Sequence, residues 1–135
     1  MVTAQPLGSQ QTVRAVCMLT DQIGDCVYVR GPMNGSYKVA RADPLAITKM
    51  PAVGVIIAKW GYTDCLVRMS GEAKVIYSGL QPGRSYVVGV SGRPVLLSSI
   101  TLAPGQELFI QVLGTALDSG VLHVQPASIS GARSS

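Results

Sequence analysis

Gly24-Asp25-Cys26-Val27-Tyr28-Val29 and Gly83-Arg84-Ser85-Tyr86-Val87-Val88 decide how this chain is read, because they open the same pattern twice. Each starts on a glycine and runs into β-branched and aromatic residues. Each is followed by a glycine turn, a valine-rich run that carries a glycine, and a closing strand-like run. Tyr28 matches Tyr86, Gly54 matches Gly114, and Cys65-Leu66-Val67 matches Val121-Leu122-His123, at spacings that are similar without being identical. A β module written twice in 135 residues predicts one pseudo-symmetric barrel or sandwich. The drifting offset leaves chance alternation as the competing reading. Either way, most residues are scaffold and few remain for chemistry.

Outward from these stretches the turn chemistry is dense. Cys26–Val29 leads into Gly31-Pro32-Met33-Asn34-Gly35, whose Asn-Gly is a strong hairpin signal, and Tyr37-Lys38-Val39-Ala40 is the expected returning strand. Asp43 to Pro51 is a connection with prolines at 44 and 51 and room for one helical turn at most. Ala52 to Trp60 is the longest apolar run, in which Gly54 marks a bulge or a close backbone approach. Gly61-Tyr62-Thr63-Asp64 turns the chain into Cys65–Met69, which continues to Ala73–Tyr77. Turns at Gln81-Pro82-Gly83, Ser91-Gly92, Pro104-Gly105 and Asp118-Ser119-Gly120 separate the later strands, of which Glu107–Leu113 alternates most cleanly. Strand candidates recur about every 8 to 12 residues and no stretch holds a 3.6-residue period. The expected fold is all-β, a small antiparallel β-barrel or sandwich with an internal two-fold repeat.

Three segments follow from this. Residues 1–22 read as an extended N-terminal arm, either unstructured or laid along a neighbouring subunit to add a strand to its sheet edge. Thr12, Val13, Arg14, Val16 and Leu19 are its candidate partner contacts. Residues 23–126 form the β-barrel domain, and 127–135, small and polar, a flexible C-terminal tail.

Apolar residues make up 47% of the chain and charged residues only 13%, against about 25% in ordinary soluble domains. A surface so poor in charge is expected to be covered, by copies of the chain or by a larger assembly; a secreted or unusually polar-neutral monomer is the plainer alternative. The net charge of +4 comes from eleven basic residues spread evenly along the chain, with only seven aromatics. That pattern lacks the clustered stripe of a nucleic-acid binder and suits an acidic protein partner equally well. Cys17, Cys26 and Cys65 are odd in number and form no C-x-x-C pair, as in a protein made without oxidative folding. The first residues lack a signal-peptide pattern, and no apolar run approaches the ~20 residues that span a bilayer. A soluble, cytoplasm-made protein without membrane contact is expected.

The chain carries no recognisable catalytic set. His123, the one histidine, stands in an alternating strand without a nucleophile elbow or a cysteine-protease signature. Asp21 and Asp25 flank Gly24, where short acids cap backbone N–H groups, and the other carboxylates also fall beside turns. Ligand spacing for zinc, a calcium loop and a phosphate-binding glycine loop are all missing, so no metal or cofactor is expected. Trp60 and Tyr62, at a hairpin tip, are the remaining candidates. They either anchor a protein or carbohydrate partner or pack over their own turn.

The order of Gly24-Asp25-Cys26-Val27-Tyr28-Val29, a glycine hairpin, Pro51-Ala52-Val53-Gly54-Val55, and a second hairpin from Tyr86-Val87 to Gly92-Arg93-Pro94 resembles small β proteins of tailed bacteriophages. Gly114-Thr115-Ala116-Leu117-Asp118 before the last strand is similar to the closing part of such domains. The family most resembled is the capsid decoration, or cement, proteins. The resemblance implies a structural virion protein, made in the host cytoplasm and placed on the capsid surface. It implies a homotrimer that binds the outside of the shell and stabilises it by clamping neighbouring subunits of the major capsid protein. A β-domain of a head fibre, tail or baseplate protein, acting in receptor or glycan binding, is the alternative.

Overall fold

A computed structural model describes residues 10–32, 34–74, 76–100, 107–129 and 131–134. Residues 1–9 of the expected arm, the Pro104-Gly105 turn, Met33, Val75, Ser130 and Ser135 lie outside the described residues. The chain is all-β. Its strands are β1 (Gln11–Val16), β2 (Cys26–Val29), β3 (Tyr37–Arg41), β4 (Gly54–Trp60), β5 (Asp64–Lys74), β6 (Ser85–Val88), β7 (Pro94–Leu96), β8 (Glu107–Ile110), β9 (Val112–Asp118), β10 (Val121–Val124) and β11 (Gly131–Ser134). Two single-turn 3-10 helices, Ile47–Lys49 and Leu97–Ser99, interrupt the connections.

The first five strands close into a barrel, in the order β1-β3-β2-β4-β5 and back to β1. Closure is the work of β1. It runs antiparallel to β5, with Val13 opposite Val67 and Ala15 opposite Cys65, and parallel to β3 at Ala15–Tyr37 and Val16–Lys38. This corrects the arm expected over residues 1–22: residues 11–16 are a strand of this barrel, not an extension onto a neighbour. The physical reason is the period-2 pattern of Val13, Ala15 and Cys17, which face the core while Thr12 and Arg14 face out. Val27, Val39, Ile56, Cys65 and Val67 complete that core, and each buried Val or Ile contributes about 1.5–3 kcal/mol.

Strand β5 is long enough to serve two sheets. Beyond Gly71, whose φ of 107° favours glycine, Gly71–Lys74 leaves β1 and β4 and pairs with β10. The second sheet continues β10-β9-β6-β7. Its core of Tyr86, Val88, Leu113, Leu122 and Val124 merges with Cys26, Ala52 and Val55 of the barrel, so the two modules share one interior. Gln111, buried between β8 and β9, acts as a surrogate peptide group. Its Oε1 accepts from Ala52 N (2.8 Å), and its Nε2 donates to Ala52 O (2.9 Å) and Ala127 O (2.8 Å). The tail, expected to be flexible, instead pairs as β11 with β8, Gly131 opposite Ile110 and Ser134 opposite Glu107.

The repeat is visible in the ladders. β2 pairs with β3 and β4, and β4 with β5; likewise β6 pairs with β7 and β9, and β9 with β10. Gly24 N–H donates to Ile56 O, and Ile56 N–H to Asp25 O, at 2.8 and 3.0 Å; Gly83 N–H donates to Ala116 O, and Ala116 N–H to Arg84 O, at 2.8 and 3.1 Å. Gly24 therefore corresponds to Gly83, and Asp25 to Arg84. Gly54 lies opposite Val27 and Gly114 opposite Tyr86. A Cβ on Gly54 would run into the Arg68 carbonyl, and one on Gly114 into the His123 carbonyl. Tyr86 thus corresponds to Val27 rather than Tyr28, and Leu122 to Val67 rather than Leu66. The matched pairs are offset by 59 residues at Gly24/Gly83, 60 at Gly54/Gly114 and 55 at Val67/Leu122. The fall of five reflects a shorter β9–β10 hairpin, with five residues between Ala116 and Leu122 against ten between Ile56 and Val67.

Candidate functional site

At one end of the barrel the usual partition of polar and apolar groups is inverted. The loop joining β1 to β2 (residues 17–25) turns its charges inward and its hydrophobic side chains outward. The Lys59 ammonium, on β4, donates to the carbonyls of Met18 (3.3 Å), Leu19 (3.0 Å) and Asp21 (2.5 Å). The buried Asp21 carboxylate accepts the Met18 N–H at 2.7 Å, and Cys17 N–H donates to Thr63 O at 2.8 Å, stitching the loop to the β4–β5 turn. Asp25, only 2% exposed, accepts the Gln22 N–H at 2.9 Å and Arg41 Nε–H at 3.0 Å, with Arg93 Nε 3.7 Å away. Arg41 also donates to Thr20 O and Arg93 to Ile23 O, at 3.0 and 2.7 Å. The Tyr77 hydroxyl donates to Gly24 O at 2.7 Å; burial pushes that phenol well above its ordinary pKa, so it remains a donor.

With its carboxylates engaged, the loop presents Met18, Leu19 and Ile23 to solvent, and Trp60 and Tyr62 are exposed on the neighbouring β4–β5 hairpin. Leu19 is 65% exposed, Trp60 49% and Tyr62 76%. Single exposed hydrophobes are commonplace, but Leu19, Ile23 and Tyr62 share the lining of one groove. Leu19, Thr20, Gln22, Ile23, Lys59 and Tyr62 line a shallow groove of about 530 Å³. The Arg14 guanidinium lies 5.8 Å from the centroid of the Trp60 ring, a cation–π contact that steadies the indole. The loop backbone is preorganised: charge-assisted hydrogen bonds fix it, so its ordering cost is already met in the free chain.

Of the residues expected to contact partners, the structure gathers Arg14, Leu19, Trp60 and Tyr62 at this end. Thr12 is exposed farther along the outer face of β1, while Val13 and Val16 are half-buried. Strand addition by Thr12, Val13, Arg14 and Val16 to a neighbour's sheet is replaced by their pairing with β5. Sequence reasoning missed Met18, Ile23 and the pins Lys59, Arg41 and Arg93. Its capping assignment for Asp21 and Asp25 points to the right loop, because both accept a backbone N–H three residues back. His123 is half-buried on β10, opposite Glu72 and Thr115 in the ladder. Among the described residues, no group of three or more His, Cys, Asp or Glu is placed to hold a metal ion, and no helix is long and apolar enough to cross a membrane.

The three thiols are buried. Burial, reinforced by Asp25 and opposed by Arg93, pushes Cys26 far above its ordinary value. Burial also pushes Cys65 up to about 12, with Cys17 beside it adding to the shift. Neither is a nucleophile at neutral pH. No protein-family model matches the chain, and no curated protein or solved structure matches it.

Proposed function

We propose that this chain is a non-catalytic docking protein of a bacteriophage virion. It binds the outside of the capsid as a homotrimer and stabilises the shell by clamping neighbouring subunits of the major capsid protein. The observation that carries the docking role is the pinned loop that holds Asp21 and Asp25 inside and Met18, Leu19 and Ile23 outside, with Leu19 and Ile23 sharing a groove with Tyr62. The capsid setting rests on the resemblance of the Gly24–Val29 and Pro51–Val55 stretches to decoration proteins and on the low charge of the chain. Three copies of one modest patch on a symmetric lattice gain avidity without a large interface per subunit, and binding only the expanded shell stabilises that state by mass action.

The test is to add purified protein to expanded shells that lack it. Wild type sediments with the shells and raises their melting temperature, and Leu19→Ser/Tyr62→Ser, folded by circular dichroism, does neither. Wild type that leaves the shells untouched, or a strict monomer by light scattering, contradicts the reading. A second reading, receptor or glycan binding on a fibre or tail, is favoured by the exposure of Trp60 and Tyr62. It predicts that Trp60→Ala/Tyr62→Ala removes adsorption to the host while particle stability is unchanged.

A further inference from the structure

The repeat carries a docking site twice, and the chain itself uses only one of the two. In the first module, the Gly24-Asp25-Cys26 edge receives the β6–β7 turn, residues 89–93. Cys26 N–H donates to Gly92 O at 2.7 Å, while Arg93 reaches both Asp25 and the Ile23 carbonyl. The fit is close: a Cβ on Gly92 would run into the Arg41 side chain, and one on Gly24 into the Arg93 guanidinium. The receiving surface is thus the Gly24–Cys26 edge with Arg41, continued by Ala42 and Asp43.

The ladders translate that surface into the second module. Val27 pairs with Arg41 as Tyr86 pairs with Leu96, so Arg41, Ala42 and Asp43 correspond to Leu96, Leu97 and Ser98. Gly24, Asp25 and Cys26 correspond to Gly83, Arg84 and Ser85. These six residues line one groove of about 320 Å³. Gly83, Arg84, Leu97 and Ser98 are exposed, and among the described residues no turn packs onto them. The charge is reversed between the two copies. An acid at residue 25 meets an incoming guanidinium, whereas the second copy offers Arg84 and replaces Arg41 with Leu96.

We propose that the Gly83–Ser85/Leu96–Ser98 groove receives a glycine-containing β-turn of a partner protein, with a carboxylate where Arg93 stands in the intramolecular pair. The physical case is position and charge: the six residues that correspond to the receiving surface line one open groove, and Arg84 supplies the cation. In a second copy of this chain, the equivalent hairpins are the wrong occupants. Of its two hairpins of this kind, one carries Arg93 and the other places Lys38 at the same ladder position, opposite Arg30. Either brings a cation against Arg84. The lining of this groove shares no residue with the groove at the barrel end.

The test uses the whole chain, labelled with nitrogen-15, and two synthetic heptapeptides with the sequence of residues 88–94, one unaltered and one carrying Arg93→Glu. The acidic peptide shifts the backbone amides of Arg84, Ser85, Leu97 and Ser98 and binds about tenfold more tightly than the unaltered one, as a single charge-assisted contact gives. Arg84→Glu, an exposed change that leaves the rest of the spectrum in place, reverses the order. Equal responses to the two peptides, shifts that map elsewhere, or no shift at millimolar peptide overturn the proposal. So do groove amides that move with protein concentration alone, which assigns the groove to a second copy.

Discussion

The two modules share a strand order, a pair of glycine contacts and a pair of turn anchors, yet one is a closed barrel and the other is not. In the first, β1 bridges β5 and β3. In the second, Gly71–Lys74 takes the place of β1 against β10, but β7 pairs only with β6 among the described residues. A cleft of about 500 Å³ separates residues 76–80 from Pro94–Leu96. Local chemistry explains the difference. Tyr77, just past β5, turns to the first module and gives its hydroxyl to Gly24 O. The edge of β7 is short, begins with a proline that lacks an N–H, and has its Leu96 carbonyl held by Ser99 Oγ at 2.7 Å. Such an edge is blunted against further pairing. The same ladder can therefore close or stay open, according to where one following segment spends its polar groups.

The largest expected effect tests whether the modules are equivalent where both glycines meet a carbonyl. Gly54→Val and Gly114→Val should each cost about 3 kcal/mol or more in urea unfolding, because the neighbour is backbone and cannot move aside. A neutral result at either position breaks the correspondence. Next, Asp25→Ala should cost about 2–3 kcal/mol, because it removes the buried acceptor of the Gln22 N–H and of the Arg41 guanidinium, whereas Arg84→Ala at the corresponding exposed site stays within about 0.5 kcal/mol. Equal penalties would remove the distinction between a used and an open docking edge. Gln111→Leu, which strips Ala52 and Ala127 of their partner, should cost about 2 kcal/mol by thermal melting. A smaller loss, about 1 kcal/mol, is expected for Lys59→Met, with faster hydrogen exchange confined to residues 18–22.

The thiols give a pH-dependent check of the sealed interior. The Cys65 pKa is raised in the folded state from the ordinary 9.0 to about 12, so its contribution is fully present below pH 9 and is lost as pH rises towards 12. Unfolding free energy should fall across that window, and iodoacetamide at pH 8 should label none of the three cysteines until the chain unfolds. Rapid native labelling would contradict a sealed interior.

Strands and turns were legible because alternation and glycine-bearing turns are local. The repeat was legible too, but out of step by one residue at Tyr28 and Leu66, because like residues align Tyr with Tyr and Leu with Leu while only the strand pairing fixes the register. Barrel closure by β1 was not legible: Gln11, Thr12 and Arg14 read as polar, and only the position of β5 reveals which face they occupy. The same holds for β11, whose small residues carry no strand signal. Half of the candidate site was visible as Leu19, Trp60 and Tyr62. Its supports were not, since Lys59, Arg41 and Arg93 reach the loop from distant strands and nothing in their own neighbourhoods announces it.

The central claim is that the barrel end bearing Leu19, Ile23, Trp60 and Tyr62 is the face that meets the shell. A cryo-electron microscopy map of decorated particles tests it most directly. The account predicts three copies about a threefold axis, each with the 17–25 loop and the 61–63 turn buried against the capsid subunits. A map in which that end points to solvent, or in which the shell carries no density for this chain, contradicts it.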